Sequence, residues 1–166
     1  MARTDLPRQT DLDRGPSDLR LRRRLALGAA LGAVLATYLT LVQVGVAPAW
    51  DPVFGTTDEV LHSWVSQLFP VPDALLGAVL YTAEAVLALV GGPQRWRTAP
   101  WLVLTFEALL VATAGAGLAL TAVQAFVLHA FCLLCLVQAG IGVTLLAASR
   151  LREARAALAH LRARGD

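Results

Sequence analysis

The chain has 166 residues, 57% of them hydrophobic and only 16% charged, and its mean hydropathy is +0.61. That balance excludes an ordinary soluble domain, and two cysteines exclude both a framework of several disulfides and a four-cysteine metal site. The net charge of +2 says little, but its distribution is informative: all fourteen basic residues are arginines, seven in 1–24, two in 93–98 and five in 150–166. Positive charge stays on the cytoplasmic side of a membrane. Both termini are therefore expected inside, with the connections 47–72 and 124–131, which carry no arginine, facing out.

Residues 1–24 mix Arg, Asp, Pro and Gly without apolar periodicity and predict a disordered basic cytoplasmic tail. Arg20, Arg22, Arg23 and Arg24 stand beside a span, where such a cluster anchors a helix at the inner surface rather than binding nucleic acid. Apolar runs follow at about 25–47, 73–92 and 99–149. The last would reach about 76 Å as one helix at ~1.5 Å per residue, more than twice a ~30 Å hydrocarbon core. It must fold back once, which predicts four spans: an all-α integral membrane four-helix bundle. In the first span Gly28, Gly32 and Ala36 recur at four-residue spacing and predict close approach of a neighbouring helix.

The outer loop 47–72 opens irregularly with Pro48, Pro52 and Gly55. Thr56 and Glu59 then read as a capping box. The expected helix places Val60, Leu61, Trp64, Val65 and Leu68 on one side and Asp58, Glu59, His62, Ser66 and Gln67 on the other, ending at Pro70 and Pro72. It is a short amphipathic helix lying at the outer surface, as a membrane anchor or as a lid over what lies between the spans. Trp50 and Trp64 fall at the outer interface, Trp96 and Trp101 at the inner one.

Glu84 and Glu107 are equidistant from the centre of the turn 93–98, so an antiparallel hairpin sets them at matching depth. Ionised carboxylates there are costly, so raised pKa values are expected. Two readings follow: a shared proton on a path to a buried acceptor, or neutral acids hydrogen-bonding between helices. Gly115, Gly117, Gly77 and Gly140 share one leaflet, where space for a flat ligand would be useful. The tail 150–166 continues as an Arg-rich helix on the inner surface.

The only two cysteines, Cys132 and Cys135, stand where the last run turns back into the membrane. C-x-x-C at a helix start puts both sulfurs on one face, near free N–H groups and the positive dipole end that favour thiolate. The pair can be inert packing, can join His129 as H-x-x-C-x-x-C to hold a metal with a further ligand, or can be a redox centre exposed to an oxidising compartment. No dinucleotide fingerprint or haem attachment motif is present. A lipid-soluble quinone is then the natural electron partner, and chemistry and location agree on this third reading.

Four spans, a short helix in the first outer loop and C-x-x-C opening the last helix together resemble the vitamin K epoxide reductase family over roughly 25–149. The specific pieces are Trp50-Asp51-Pro52, Val60 to Ser63, Pro72-Asp73 through Gly77 and Tyr81, and Phe131 to Cys135. The other familiar four-span disulfide-generating family carries its C-x-x-C in the first outer loop instead. The resemblance implies a quinone of menaquinone or ubiquinone type, and no metal, in a pocket capped by the loop helix. It implies Cys135 as the deeper sulfur beside the quinone, Cys132 as the outer one exchanging with a thiol, and Ser63, Asp73 and Tyr81 as quinone-binding residues. The family's two further loop cysteines have no counterpart, their places falling on or near Trp50 and Thr57.

The implied activity is a membrane thiol–disulfide oxidoreductase that couples the pair to a quinone and supports disulfide formation in a separate thioredoxin-fold extracytoplasmic partner. Run in reverse, the pair reduces a quinone or its epoxide with external thiols. The reading from another class is a non-enzymatic quinone- or lipid-binding membrane protein that kept the fold and lost the loop relay.

Overall fold

The computed structural model describes residues 17–66, 70–149 and 151–165. Most of the expected N-terminal tail (1–16), and Gln67 and Leu68 of the loop helix, lie outside them. The elements are α1 (Leu19–Gln43), α2 (Thr57–Leu61), α3 (Asp73–Leu89), α4 (Arg95–Thr98), α5 (Pro100–Val123), a wide π turn (Gln124–Leu128), α6 (Leu133–Ser149) and α7 (Arg152–Gly165), with no strand among the described residues. Helix α1 starts six residues before the apolar run does. Asp18 supplies the reason: its carboxylate accepts the Arg20 N–H at 2.8 Å, so the arginine cluster is helical rather than part of the tail.

Helix α1 and the run Pro100–Leu128 are each long and apolar enough to cross a membrane, and α6 followed by α7 makes a third candidate, bent between the two. Helix α3 has 17 residues and reaches only ~26 Å, short of a ~30 Å core. The chain is thus an all-helical membrane protein. Helix α1 packs along α3 and α6, and α5 packs against α3 and α6.

The small-residue stripe permits that packing. A Cβ on Gly28 would meet Leu145 Cδ2 at 2.7 Å, and one on Gly32 would come within 2.6–2.9 Å of the Tyr81 ring. Gly117 likewise lets α5 approach the backbone of Ala139, at 3.0 Å from a Cβ built there, and Gly77 faces the Gln138 amide at 3.2 Å. These two glycines serve close packing rather than space for a flat ligand, while Gly115 and Gly140 face open space.

The Glu84 and Glu107 carboxyls bond different hydroxyls rather than each other. Glu84 Oε1 accepts from the Thr113 hydroxyl at 2.6 Å, tying α3 to α5, and Glu107 Oε2 accepts from Ser149 at 3.0 Å, tying α5 to α6. Hydrogen bonding between helices is therefore the reading that fits. Each carboxyl is matched by a hydroxyl across its own helix contact.

The end opposite the cysteines is held by two buried arginines. The last carbonyls of a helix have no partner within it and carry the negative end of its dipole. At the end of α3, Arg22 donates Nε to Ala88 O (2.8 Å) and Nη2 to Val90 O (2.8 Å). Arg95, 1% exposed, donates Nη1 to Leu87 O (2.7 Å) and Val90 O (3.0 Å). The remaining nitrogens of Arg95 pair with Glu153 Oε2, from Nε at 2.7 Å and Nη2 at 2.5 Å, while Ser17 donates to Glu153 Oε1 at 2.6 Å. The C-terminal helix, expected only as a surface element, is thereby fastened to the membrane helices. Glu153→Ala leaves Arg95 buried without its counter-ion and should cost about 3–5 kcal/mol, read as a lowered thermal midpoint in detergent. Arg155→Ala, on the exposed side of α7, should change stability by less than about 0.5 kcal/mol.

Candidate functional site: a capped dithiol beside a small cleft

The first N–H groups of a helix need acceptors, and at α6 the cysteines and one glutamine provide them. Cys132 stands immediately before the helix. Its sulfur accepts the Cys135 N–H at 3.2 Å and its carbonyl accepts the Leu136 N–H at 3.0 Å, so a thiol occupies the N-cap role. The Cys132 N–H is taken in turn by Gln124 Oε1 at 3.0 Å.

Gln124 reaches it because the π turn widens the end of α5, and the chain then reverses at His129, a left-handed residue with φ 51° and ψ 28°. The Gln124 backbone carbonyl also accepts the N–H groups of His129 and Ala130. Inserted π turns of this kind often mark functional sites. Sequence reasoning missed Gln124, although it is the sole side-chain amide in the apolar run between the turn 93–98 and the cysteines.

The loop between α1 and α3 closes over the pair. The Thr56 hydroxyl donates to Phe131 O at 2.7 Å and accepts the Phe131 N–H at 3.1 Å, and the Phe54 and Phe131 rings lie 5.5 Å apart. Thr56 therefore makes no capping bond to α2, contrary to the expected capping box. Helix α2 is also one turn rather than a run to Leu68. The Ser66 hydroxyl, shared between Val60 O (3.1 Å) and Asp73 Oδ2 (3.3 Å), takes a carbonyl that a longer helix would use. Of the expected apolar face, Val60 and Leu61 are buried, whereas Trp64 is 63% exposed.

Between α2, the turn after it, the start of α3 and the end of α5 lies a cleft of about 40 Å³, lined among others by Ser63, Asp73, Gln124, Leu128 and Cys135. The Ser63 Oγ is buried and has no hydrogen-bond partner among the described residues. Gln43 fixes the surroundings, donating to Leu61 O at 3.1 Å and accepting the Ala74 N–H at 3.4 Å. Ser63, Asp73 and Cys135 thus line one cleft. Tyr81 does not line this cleft: its ring packs against Gly32, and its hydroxyl donates to Gln138 O at 2.7 Å.

The two sulfurs differ in surroundings. Cys132 is 0% exposed, while Cys135 is part-exposed toward the cleft. A hydrogen bond from the Cys135 thiol, helped by the Thr57 hydroxyl and the Cys135 N–H, outweighs burial and the Asp51 charge and lowers the Cys132 thiol to about 7. Asp51 is itself held down at about 2, chiefly by the Phe54 N–H. Among the described residues no three His, Cys, Asp or Glu side chains form a metal-binding group.

These features define a helical membrane protein with a dithiol set between a closed loop and a small, mostly apolar cleft. The model of the vitamin K epoxide reductase family matches residues 24–149, and the chain belongs to that family. Its members are membrane oxidoreductases linked generally to quinones. Helix α7 and its Glu153 lie beyond the matched region. A search of curated proteins finds no match.

Alkylation of Cys132 in membranes should accelerate as pH rises through about 7, below the ~8.5 of an ordinary thiol. Cys135→Ala removes the largest stabiliser of the thiolate and should move that midpoint upward.

Proposed function

We propose that this protein is a quinone-linked thiol–disulfide oxidoreductase of the cell membrane, with α1, α3, α5 and α6 as a four-span bundle, both termini cytoplasmic and the cysteines at the outer face. The observation that carries the reading is the shared cleft. Cys135 opens onto the same small space as Asp73 and the unpartnered Ser63 hydroxyl. A buried hydroxyl without a partner is uncommon and fits a ligand oxygen.

Bound there, a quinone supplies a two-electron, two-proton acceptor for the dithiol. Ser63 would donate a hydrogen bond to its oxygen, and Asp73 lines the same space. Apolar Val60, Leu61 and Leu128 would exclude water. At about 40 Å³ the cleft has room for a water-sized group, so admitting a ring requires the turn 62–66 to draw away from Leu128. Cys132 would exchange disulfides with a separate thioredoxin-fold partner, its raised acidity making it a good leaving group.

A second reading, a quinone- or lipid-binding protein without turnover, is favoured by one specific observation: Cys132 is fully covered, and the loop carries no cysteine to reach it. Thiol trapping in membranes under nitrogen separates the two. For the enzyme, Cys132 and Cys135 pass from reduced to bridged when a quinone is added, and Cys135→Ser stays reduced. Thiols that ignore a quinone while Ser63→Ala still alters its binding would establish the second reading.

A further inference from the structure

Charge is divided between the two ends of the molecule. The connections 47–72 and 124–131 at the cysteine end carry Asp51, Asp58 and Glu59 and no arginine. The other end, built from the start of α1, α4 and α7, holds every arginine of the described residues. Arg22 and Arg95 are buried there on the last carbonyls of α3. Arg20, Arg23 and Arg24 on α1, Arg97 on α4, and Arg152, Arg155 and Arg162 on α7 are all exposed. None of these seven has a carboxylate partner among the described residues, because Glu153 is taken by Arg95 and Asp18 caps α1. Residues 1–16 carry three arginines against three aspartates, so the tail brings no negative excess to this end. Such a field draws an anion from outside the chain.

Helix α7 shows which anion. With four arginines and a glutamate in its 14 residues it is too polar to enter hydrocarbon. It starts at Arg152, directly after α6 ends at Ser149, and a left-handed Leu151 (φ 51°) bends it by 48° from the α6 axis. The Arg95–Glu153 ion pair holds it there, as does the Trp96 ring edge-on to His160 at 6.0 Å. Ala154 and Ala157 are buried against the protein. Spacings of three and seven place Arg152, Arg155 and Arg162 together on the free face. Leu158, 42% exposed, lies one turn from both Arg155 and Arg162, and Leu161 is 41% exposed beside it. An inorganic phosphate or a nucleic acid would use the arginines and leave the leucines in water. A phospholipid uses both, since guanidinium forks match a phosphate and the leucines meet acyl chains.

We propose that the free face of α7 is a docking surface for anionic phospholipid. Arg152, Arg155 and Arg162 hold the headgroup phosphate, and Leu158 and Leu161 rest among the first acyl carbons. A cluster of arginines immediately beyond a membrane helix is suited to this role. The buried Glu153 fixes the orientation of the face, because its bond to Arg95 ties α7 to the membrane helices.

The test is electron paramagnetic resonance of spin-labelled lipid at trace level, with the full chain reconstituted in dioleoylphosphatidylcholine vesicles. Spin-labelled phosphatidylglycerol should be immobilised by the protein roughly fivefold in preference to spin-labelled phosphatidylcholine. The combined Arg152→Gln, Arg155→Gln and Arg162→Gln variant should bring that preference close to unity, and the same three positions changed to Lys should keep most of it. Salt at about 1 M, where screening acts over ~3 Å, should also remove most of it. Arg23→Gln with Arg24→Gln on α1 should leave the preference nearly intact. Should the triple Gln variant lose helicity, Arg155→Gln alone, expected to lower the preference roughly twofold, and the salt series decide. No preference in the parent, or an equal loss from the α1 variant, would overturn the α7 site. So would displacement of phosphatidylglycerol by inorganic phosphate or an oligonucleotide at matched ionic strength, which would mark a site for free phosphate or nucleic acid. The cysteines and the cleft take no part, so either result leaves the quinone reading untouched.

Discussion

The N-terminal N–H groups of α6 open where apolar side chains exclude water, and each needs an acceptor within the protein. The Cys132 sulfur takes one and the Gln124 side chain takes another. From this requirement follow the widened end of α5, the left-handed turn at His129 and the placement of the deeper cysteine against the cleft. A sulfur that accepts a backbone N–H is a better thiolate than one in an apolar pocket. The bonds that start the helix therefore also prepare the chemistry.

The opposite end solves the converse problem. There the carbonyls of α3 are left over, and Arg22 and Arg95 bring positive charge and donors to them. Arg95 is affordable in that buried setting only because Glu153 returns from α7 to neutralise it. The two ends are thus built from different materials. Thiol, amide and hydroxyl groups close the cysteine end, beside the Asp51 carboxylate. Two arginines, one of them paired with Glu153, close the other.

Sequence periodicity exposed what depends on long-range averages. Apolar runs, the arginine distribution, the stripe at Gly28 and Gly32 and the one C-x-x-C all survive small errors of register. Features decided by a single competing bond did not show. Thr56 and Glu59 have capping-box spacing, yet the Thr56 hydroxyl finds a better partner in the Phe131 backbone, 75 positions away. Helix α1 gained its extra turn from one cap residue, Asp18. Tyr81 resembled a ligand contact, but Gly32 makes the room that its ring fills. Gln124 could be recognised only once the π turn was known, since on a regular α-helix its amide would point elsewhere.

The loop substitution has a further consequence for how the family's chemistry runs in this chain. The resemblance implies a loop thiol on or near Thr57, where this chain has a hydroxyl, and a hydroxyl carries no electrons. What it does here is tie the loop to itself, donating to Asp51 Oδ2 at 2.7 Å. A buried Cys132 is compatible with exchange only if the loop moves aside for a partner, and the bonds from Thr56 to Phe131 are the ones such a partner must displace. The interaction that shields the thiol is then also the one that selects what reaches it.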